Sequence, residues 1–589
     1  MRRMASRLGH RGPDGEGFWQ DPGGLAALGH TRLKVLDPLP RSDQPMRGSS
    51  GRILVYNGEM YVFQALRREL EGKGRRFTTS GDTEVVLAAL EAWGRDALFR
   101  FSGMFALGSW DPGRRHLLLA RDRLGIKPLF WAQVGSGLVF ASEIPALLAH
   151  PGVRRDLSRE GLAAWLQLGY GAGEETLVPG VRRLPPGHVL EWRDGKVTVS
   201  AWYDLLEAVG AASPDRGADD VVDELDEILG RAVSDRLVSD VPLGCFLSGG
   251  VDSAVVAAEA AAHGANPETL TVQFPGAFDE TPEAARTASA LDLDHHVEPC
   301  AAADMLALID TWAEVGNDPI ADPSLAPTWV VSQAARRRWT VALSGDGGDE
   351  LLSGYPRLRF MPRLEKLWGR PGLWRLASWA PLPRRRWATK LRAAAAARDP
   401  WTAYQCLQGV WPRSEVEKLL GGGEIALPWP RPLLERLGPA PPWRRYRLLD
   451  LLTFLPERVL AKVDRASMSH GLEVRVPLLD RRIVELVLSL PEERATGKGL
   501  LRAILARHVP EVRPPHRKRG FEVPLGEWMR GPLRDAIRRD LFGGTTTELG
   551  LDPGVLEAAW RDHQAGRADL GERLLAVAVL GRWCRRWLG

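Results

Sequence analysis

The amino-acid sequence predicts two successive domains: a β-rich α+β domain, then an α/β domain with a parallel sheet and a mostly helical C-terminal part. The first is indicated by short apolar runs, bounded by Gly and Pro, that continue to about Tyr203. The second is indicated by an apolar run that passes through a glycine-rich turn into an Ala/Val-rich segment, because strand, loop and helix begin a parallel sheet in that order. We place these domains at residues 1–205 and 221–589, with a linker at 206–220.

Composition describes a globular chain without a strong charge bias. Hydrophobic residues make up 44% of the 589, enough to build buried cores, and 78 Lys and Arg nearly cancel 74 Asp and Glu, which leaves a net charge of +4. This balance gives no support to a nucleic-acid partner. No apolar run suits a signal peptide or a membrane span, so we expect a cytoplasmic protein with no membrane partner. The four cysteines show no paired spacing, and neither a disulfide framework nor a zinc site is indicated.

The elements follow from the patterns along the chain. Strands of the first domain are predicted in ILVYNGEMYV, MFALGSWD, HLLLARD and LVFASE. The linker is predicted from Leu206 to Asp220 because LEAVGAASPDRGADD is small, polar and contains Pro and Gly. Apolar residues then recur at helical spacing from Val222 to Leu237, which predicts a helix. Two further strands are predicted in TLTVQF and TVALSG, and mostly helix is predicted beyond about Leu364.

The string SGGVDS, from Ser248 to Ser253, lies where a predicted strand passes into a helix. Two glycines let backbone amides turn toward a ligand, and the helix N-terminus adds its partial positive charge, so the loop suits pyrophosphate. Asp252 offers a hard oxygen ligand to the Mg²⁺ that accompanies ATP. A Gly-Gly turn alone is common, but the full string after an apolar strand is specific. It resembles the PP-loop of ATP pyrophosphatases, which split ATP between the α and β phosphates.

A second loop, LSGDGGDELLSGY from Leu343 to Tyr355, also follows a predicted strand. It carries three acids, Asp346, Asp349 and Glu350. Carboxylates this close repel one another and raise a pKa unless a cation or hydrogen bonds compensate. A Mg²⁺ shared with Asp252 is the simplest explanation, and a solvated acidic turn is the alternative.

Together with the later string LPERVLAKVDRASMSHGLEVRVPLLD, these loops resemble the synthetase domain of glutamine-dependent asparagine synthetases. The first domain agrees, because HRGPDGEG, GHTRLKVLD, YNGEMY, GDTEVVL, FSGMFALGSWD, RDRLGIKPLF and FASEI follow the order of that family's class II glutaminase domain. The resemblance extends from about Gly9 to Trp528. It implies an α+β N-terminal nucleophile (Ntn) type sandwich followed by an α/β PP-loop domain of the adenine nucleotide alpha hydrolase-like kind.

The resemblance also implies a chemistry. Aspartate is adenylated by MgATP to β-aspartyl-AMP and pyrophosphate, and ammonia then displaces AMP to give asparagine. Asp252 and Asp349 are expected to hold Mg²⁺, Asp346 to handle the incoming ammonia, and Lys498 to neutralise the departing pyrophosphate. By resemblance, β-lactam synthetases have a tyrosine at the position that Asp346 occupies here. The carboxylate of Asp346 therefore favours amidation by ammonia. The implied ATP and pyrophosphate ligands are Leu247, Ser248, Gly249, Gly250, Asp252, Ser253, Val272, Ser344 and Gly345.

In the first domain the resemblance implies a glutamine site. Arg32 is expected to bind the α-carboxylate of glutamine, since a guanidinium matches a carboxylate bidentately, and Asp82 to bind its α-ammonium. Asn57 and Gly58 match the family's oxyanion hole, and Glu59 belongs to the same loop. Residues near the aspartate pocket are named by motif position alone, and they are Asp318, Asp322, Ser324, Glu473, Arg475 and Lys518.

The nucleophile of that family is a cysteine that follows the initiating methionine and attacks the glutamine amide. Here Met1 is followed by Arg2, and no cysteine precedes Cys245. We therefore expect Met1 to be an internal residue of a longer chain, and the polypeptide as written not to hydrolyse glutamine.

Three hypotheses stay open. The chain is a glutamine-hydrolysing asparagine synthetase whose start lies upstream, or an ammonia-only or amide-forming ligase acting on another carboxylate, or a non-catalytic assembly partner. An intact SGGVDS, Asp349 and Lys498 argue against the third, because a scaffold needs no magnesium ligands. The expected partners are ATP with Mg²⁺, aspartate, and glutamine or ammonia; a homodimer is implied by the resemblance alone.

Overall fold

A computed structural model describes residues 1–210, 217–274, 279–313, 317–368, 386–515 and 523–589. Lys518 and residues 211–216 of the predicted linker lie outside this range, and the domain boundary stays a prediction. The strands of the first domain are β1 Gly15–Gln20, β2 Ala27–Arg32, β3 Met46–Arg47, β4 Ile53–Glu59, β5 Met104–Asp111, β6 His116–Arg121, β7 Phe130–Val134, β8 Gly137–Ala141, β9 Val181–Arg183, β10 His188–Arg193 and β11 Lys196–Ala201. Those of the second are β12 Leu243–Phe246, β13 Glu268–Gln273, β14 His295–Pro299, β15 Val341–Leu343 and β16 Glu473–Arg475.

Helices cover both domains and make up most of the chain beyond β15. Up to that strand they are α1 Arg2–Ala5, α2 Phe63–Gly72, α3 Thr83–Trp93, α4 Ala97–Arg100, α5 Ile144–Leu148, α6 Arg159–Leu168, α7 Leu205–Ala208, α8 Ala218–Leu237, α9 Val251–Ala262, α10 Thr281–Ala290, α11 Ala302–Trp312 and α12 Leu325–Arg336. Beyond it they are α13 Gly348–Leu351, α14 Pro356–Trp368, α15 Arg386–Ala396, α16 Pro400–Gln408, α17 Arg413–Leu419, α18 Arg431–Leu437, α19 Pro442–Leu449, α20 Ala461–Met468, α21 Arg481–Ser489, α22 Glu492–Ala495, α23 Gly499–His508, α24 Leu525–Arg530, α25 Arg534–Phe542, α26 Thr545–Glu548, α27 Pro553–Gln564 and α28 Gly571–Trp587.

The first domain is built on a six-stranded antiparallel sheet in the order β11-β10-β6-β5-β4-β3. A three-stranded sheet, β8-β7-β9, and the pair β1-β2 complete the strands of this domain that the structure describes. The four predicted strands are confirmed and correspond to β4, β5, β6 and β8. Strands such as β1 and β11 were not predicted, because GEGFWQ and KVTVSA are partly exposed and carry few apolar residues.

The six-stranded sheet is buried on both faces, which makes this domain a layered sandwich. Along β4, Ile53 and Val55 join a core between the sheets, whereas Leu54 and Tyr56 join a second core against α2 and α3. This alternation follows from the two-residue period of a strand. Because both faces are covered, the central strands have almost continuous apolar runs, and this is why the sequence revealed them.

The second domain contains a parallel sheet in the order β14-β13-β12-β15-β16. The three predicted strands are confirmed as β12, β13 and β15; β14 and β16 were missed, being respectively a partly exposed edge strand and a three-residue strand. The chain moves outward from β12 to β14 on one side and to β16 on the other. Such a reversal of strand order opens a crevice at the carboxyl ends of the strands, where α/β sheets bind ligands.

The helical part is continuous with this sheet. From Pro442 to Met468 the chain forms one helical rod, α19 and α20 joined by a π-helical segment from Asp450 to Leu460. Pro456 lies inside that segment and lacks the N–H that an α-helical turn would use. Among the described residues, no helix combines the length and the apolar character that crossing a bilayer requires.

A buried ion network joins the two domains. The Arg11 guanidinium lies 2.8 Å from Asp464 in α20 and 2.9 Å from Glu143 of the first domain, and all three side chains are at most 7% exposed. Burial acts to raise the pKa of each carboxyl, but the charges of His10 and Arg11 on Glu143, and of Arg11 and Lys127 on Asp464, hold both pKa values below the usual range. The first domain is therefore fastened to the second by charge as well as by packing.

We predict that Arg11→Ala lowers the free energy of unfolding by about 3 kcal/mol, because it leaves two buried carboxylates undercompensated. The stabilisation is present above about pH 4 and is lost as pH falls through the lowered pKa values. The free energy of unfolding of the variant should therefore fall less in acid than that of the parent chain. Urea unfolding monitored at several pH values measures both effects.

The matched control is Arg154→Ala. Arg154 pairs with Asp156 at 2.5 Å, but both side chains are more than half exposed, at 80% and 52%. Such surface pairs contribute about 1 kcal/mol or less. Equal losses in the two variants would contradict the role given to the buried network.

Candidate functional site

Two loops of the second domain meet at the carboxyl ends of adjacent strands. SGGVDS follows β12, and the acidic loop from Ser344 follows β15, which pairs with β12 in parallel register. The Cα partners Leu243 with Val341 and Cys245 with Leu343 bring both strands to an end at the same level. The sheet therefore places the two predicted ligand loops side by side, as a Mg²⁺ ion shared by them would require.

The glycine-rich loop is closed by its own serines. Ser253 Oγ accepts from the Ser248 amide at 3.0 Å and lies 2.9 Å from Ser248 Oγ, and the Gly250 amide donates to Ser248 Oγ at 3.2 Å. The Gly249 amide donates to the Glu280 carboxylate at 3.1 Å. The loop already holds one carboxylate on a backbone amide, which is the kind of contact that phosphate oxygens make. Glu280 was not predicted, because it has no motif signal.

Glycines let the two loops approach to contact distance. A Cβ on Gly345 would lie 2.6 Å from the Ser253 amide nitrogen, and one on Gly348 would lie 2.6 Å from Asp252 Oδ1. Real Cβ atoms do not approach other atoms so closely. Only glycine therefore fits at these two positions while the loops stay in contact. The repeated glycines of SGDGG therefore serve the packing of one loop on the other.

Lys498 joins the carboxylates of the two loops. Its ammonium group bonds Asp252 Oδ2 and lies 2.5 Å from Asp349 Oδ1. The three side chains are 11 to 16% exposed. Lys498 directly precedes α23 and has φ of +62°, a left-handed conformation that aims its side chain back over the end of the sheet. Two residues 246 positions apart in sequence thus form the centre of the crevice.

The residues of this centre fit a hard divalent cation. Both carboxylates already converge on one positive charge, and Asp252 Oδ1 is buried without a hydrogen-bond partner in the described part of the chain. Oxygen donors of this kind suit Mg²⁺, which takes one or two carboxylates and completes its coordination with water and substrate phosphate. Asp252 and Asp349, the predicted metal ligands, are the residues that would hold it.

The acidic loop divides its three acids among different partners. Asp349 faces Lys498, whereas Asp346 accepts a hydrogen bond from Ser344 Oγ at 2.5 Å. Glu350 points away into the core, where it accepts from Tyr355 Oη at 2.5 Å and burial raises its pKa to about 7. The raised pKa expected in this loop therefore occurs at Glu350, but its main cause is burial, and the charge of Asp346 contributes less.

Arg447 holds the segment before Lys498, and no sequence motif indicates this residue. Its guanidinium is fully buried and donates to the carbonyls of Ala495 at 3.1 Å and Leu351 at 3.4 Å. It thereby ties the approach to Lys498 to α13, the helix of Asp349. In the sequence Arg447 sits in WRRYR, which is typical of an exposed helix face.

The predicted adenosine contacts lie at the ends of neighbouring strands. Leu247 follows β12 and Val272 lies in β13, and each side chain is 2% exposed. The Leu247 amide donates to the Leu270 carbonyl at 3.0 Å, which extends the pairing of these strands by one residue. Their contact with adenosine stays a prediction.

The residues named for the aspartate pocket separate into different places. Asp318 is buried at the domain interface, 2.8 Å from Arg183. Asp322 pairs with Arg458 at 3.1 Å and accepts from the amide and hydroxyl of Ser324. Burial acts to raise the pKa of Asp322, but the charges of Arg458 and Lys462 and the hydrogen bonds from Ser324 outweigh it and hold the pKa well below the usual range. Asp318 and Asp322 therefore have different partners and do not belong to one cluster.

The five predicted glutamine residues line one cavity of about 370 Å³ in the first domain. They are Arg32, Asn57, Gly58, Glu59 and Asp82. No cysteine lines this cavity; the four cysteines are buried elsewhere, and burial raises the pKa of each thiol to about 12. The resemblance therefore selected residues that the fold does bring together.

Their local contacts differ. The Arg32 guanidinium bonds Asp43 at 2.7 Å and three backbone carbonyls, so a carboxylate ligand would have to share it with Asp43. Asp82 accepts from Tyr56 Oη and the Met60 amide at 2.9 Å, and burial raises its pKa. Asn57 Nδ2 is buried with no hydrogen-bond partner among the described residues, an orphan donor of the kind an oxyanion hole needs.

One arginine connects the two sites. Arg475, in β16, lies 2.8 Å from Glu473 and 3.4 Å from Glu59, which lines the cavity of the first domain. Its carbonyl accepts the amide of Ser344, the first residue of the acidic loop, at 2.9 Å. Burial and the neighbouring Glu473 raise the pKa of Glu59 well above its usual value. The cavity and the crevice therefore share a wall.

Comparison with known proteins agrees with this geometry. The asparagine synthase family model matches residues 224–585, and the glutamine amidotransferase domain model matches residues 1–203. A putative glutamine-hydrolysing asparagine synthetase of Mycobacterium tuberculosis (strain ATCC 25618 / H37Rv) is 31% identical over 619 residues, covering 99% of this chain and 92% of that protein. Glutamine-hydrolysing asparagine synthetase 1 of Bacillus subtilis (strain 168) is 27% identical over 610 residues, covering 99% and 93%. Together with the observed layers, the matches confirm the predicted fold class, an Ntn-type sandwich followed by a PP-loop α/β domain.

We predict that Gly354→Ala weakens Mg²⁺-dependent binding of a non-hydrolysable ATP analogue by about tenfold or more, equivalent to about 1.4 kcal/mol. A Cβ on Gly354 would lie 1.9 Å from Asp349 Oδ1 and 2.6 Å from Lys498 Cε, so the carboxylate must move. Titration calorimetry with and without Mg²⁺ measures the change. Gly72→Ala is the control, since nothing lies within 4 Å of its Cβ position; equal affinities in both variants would contradict the assigned metal site.

Proposed function

Because the chain belongs to the asparagine synthase family, we propose that it adenylates the β-carboxylate of aspartate with MgATP and transfers ammonia to the product, forming asparagine. The observation that carries the proposal is the convergence of Asp252, Asp349 and Lys498 beside the SGGVDS loop. Family membership gives the reaction class, an ATP-dependent carbon–nitrogen ligase, and the geometry supports a role for each residue.

The first step needs a phosphate site with positive charge. The backbone amides of the loop from Ser248 to Gly250 would receive the β and γ phosphates, with Glu280 withdrawing from Gly249. An aspartate carboxylate oxygen attacks the α-phosphorus, and the bond from that phosphorus to the bridging oxygen breaks to release pyrophosphate. Lys498, at the same edge, is placed to stabilise the negative charge that builds on the leaving group.

Asp252 and Asp349 would hold Mg²⁺ on the phosphates. The bound ion supplies charge neutralisation for the polyphosphate during its departure. In the structure the Lys498 ammonium lies between these two carboxylates and offsets part of their repulsion.

The second step needs a proton acceptor near the new amide bond. The ammonia nitrogen attacks the acyl carbon of the adenylate, the bond from that carbon to the AMP oxygen breaks, and one proton leaves the nitrogen. Asp346 is a carboxylate at the mouth of the acidic loop, oriented by the Ser344 hydroxyl. It is the proposed acceptor of that proton.

The first domain is the proposed source of ammonia through glutamine. Arg32, Asn57, Gly58, Glu59 and Asp82 line one cavity, and that cavity borders the synthetase domain at Glu473. The orphan amide of Asn57 supports an oxyanion site, and the carboxylate of Asp82 supports recognition of an α-ammonium. An ammonia-only ligase, or a ligase for another carboxylate, is the alternative function.

We predict that the purified chain, given ATP, Mg²⁺, aspartate and ammonium, forms asparagine, AMP and pyrophosphate in equal amounts. Lys498→Met and Asp349→Asn should each lower kcat by about a hundredfold or more, since each removes charge that acts in the transition state. Chromatographic quantification of asparagine and coupled detection of pyrophosphate measure the rates.

Lys418→Met, an exposed lysine near the end of α17, is the matched control and should retain the parental rate. If pyrophosphate is released only when a different carboxylic acid is supplied, that acid and not aspartate is the substrate. Asparagine formation at the parental rate by Lys498→Met would refute the proposed role of the crevice.

A separate prediction concerns the cavity of the first domain. Asp82→Asn should weaken glutamine binding by about tenfold or more, because it removes the charge that pairs with the α-ammonium, while leaving ammonium-dependent synthesis unchanged. Calorimetry with glutamine measures binding without requiring turnover. The exposed Asp156 supplies the control, Asp156→Asn, and equal affinities in the two variants would argue against a glutamine site here.

A further inference from the structure

Away from both sites, a cluster of titratable side chains joins three helices of the second domain. His508, the last residue of α23, places Nε2 3.2 Å from Glu259 Oε1 in α9 and 3.6 Å from Asp226 Oδ1 in α8. Glu259 is 3% exposed, whereas His508 and Asp226 are about one-fifth exposed, at 22% and 23%. The imidazole lies between two carboxylates, one of them buried.

The same helices carry the residues of the crevice at their other ends. Asp252 lies in the first turn of α9, and Lys498 directly precedes α23. The two helices pack along one another. From Asp252 to Glu259 is a rise of about 10 Å, and from Lys498 to His508 about 15 Å, at 1.5 Å per helical residue. The pair α9 and α23 is therefore joined by charge at both ends.

The other charged groups around His508 have their own partners. Arg507 lies 2.9 Å from Asp226 and 2.6 Å from Asp223, both in α8. His263, which caps the end of α9, donates Nδ1–H to the Glu259 carbonyl at 2.8 Å, and that nitrogen is 3.9 Å from the Glu259 carboxylate. His508 thus hydrogen-bonds the buried carboxylate of Glu259, which is also in side-chain hydrogen-bond contact with Asp226.

We propose that His508 is a positioning residue: by bridging Glu259 and Asp226 it fixes α23 against α9, and so holds the Lys498 ammonium at Asp252 and Asp349. The inference rests on the proposed function for its catalytic readout. One proton shared between the imidazole and Glu259 compensates the buried carboxylate. Once that proton is lost, the buried charge of Glu259 is undercompensated. Separation of α9 from the end of α23 lets water reach this charge and lowers its free-energy cost.

The charges of the cluster make the strength of the His508–Glu259 contact depend on pH. The hydrogen bond to Glu259, with the charges of Glu259 and Asp226, raises the pKa of His508, and burial raises the pKa of Glu259. For both groups the folded chain holds the proton more tightly than the unfolded chain does. The stabilisation from His508 is therefore complete below about pH 6.5, and that from Glu259 below about pH 4.5, the ordinary values of the two groups; each is lost as pH rises through the raised pKa.

The test compares His508→Gln, His508→Lys and the double variant His508→Gln with Glu259→Gln. Ammonium-dependent asparagine formation is measured from about pH 6 to pH 9, each variant relative to the parent at the same pH. At the acid end His508→Gln should lower kcat by about tenfold, with KM for ATP changed by less than about twofold. His508→Lys should restore kcat and remove the alkaline decline, and the double variant should recover most activity, because both partners are then neutral.

Hydrogen exchange of residues 251–256 and 499–504 gives a second readout that needs no catalysis. Exchange should be faster in His508→Gln, and faster in the parent at high pH. His296→Gln, at the edge strand β14, is the control and should leave both segments unchanged. If the parent forms no asparagine but exchange responds as stated, the proposed function fails and the positioning contact stands.

Three results would overturn the inference. The first is parental kcat and exchange in His508→Gln. The second is a loss of activity that His508→Lys does not restore and that follows thermal stability at every pH, which indicates a structural role only. The third is a stoichiometric zinc ion that is bound by the parent and lost in His508→Gln, since the three side chains would then be metal ligands.

Discussion

The synthetase site depends on one electrostatic constraint, the sharing of the Lys498 ammonium by Asp252 and Asp349. Two carboxylates on separate loops repel when they are held close in a crevice of low exposure, and the ammonium between them offsets that repulsion. The glycines at 345, 348 and 354 let the loops reach this separation. Arg447 and α23 then bring Lys498 to it from the far end of the chain.

The relation between the two domains follows the same physical logic. Arg11 compensates Glu143 and Asp464 at the interface, and Arg475 lies against Glu59 on one side and supports the acidic loop on the other. Because buried charges are costly unless paired, each arginine fixes the position of a carboxylate from the other domain. The cavity that is proposed to bind glutamine is thereby held in contact with the second domain.

Strong local patterns made part of this structure predictable. The central strands of both sheets were found because they are buried on both faces and carry continuous apolar runs, and the ligand loops because glycines and acids follow those strands at fixed spacing. Edge strands such as β11 and β14 were missed, since their side chains are partly exposed and their apolar residues are few. Asp318 and Asp322 were named together by motif position, but the fold gives them separate arginine partners.

The sequence by itself determined the order of the two domains, the loop that suits pyrophosphate, and the identity of the acids that can hold a metal, because each depends on a contiguous string. Only the tertiary structure decided which of those acids share a cation, that Glu350 turns into the core, and that Arg447, Arg475 and His508 support the site. These contacts join residues far apart in the chain, some of them separated by more than 200 positions. Their existence depends on how helices pack and which charges become buried, and no local pattern records that.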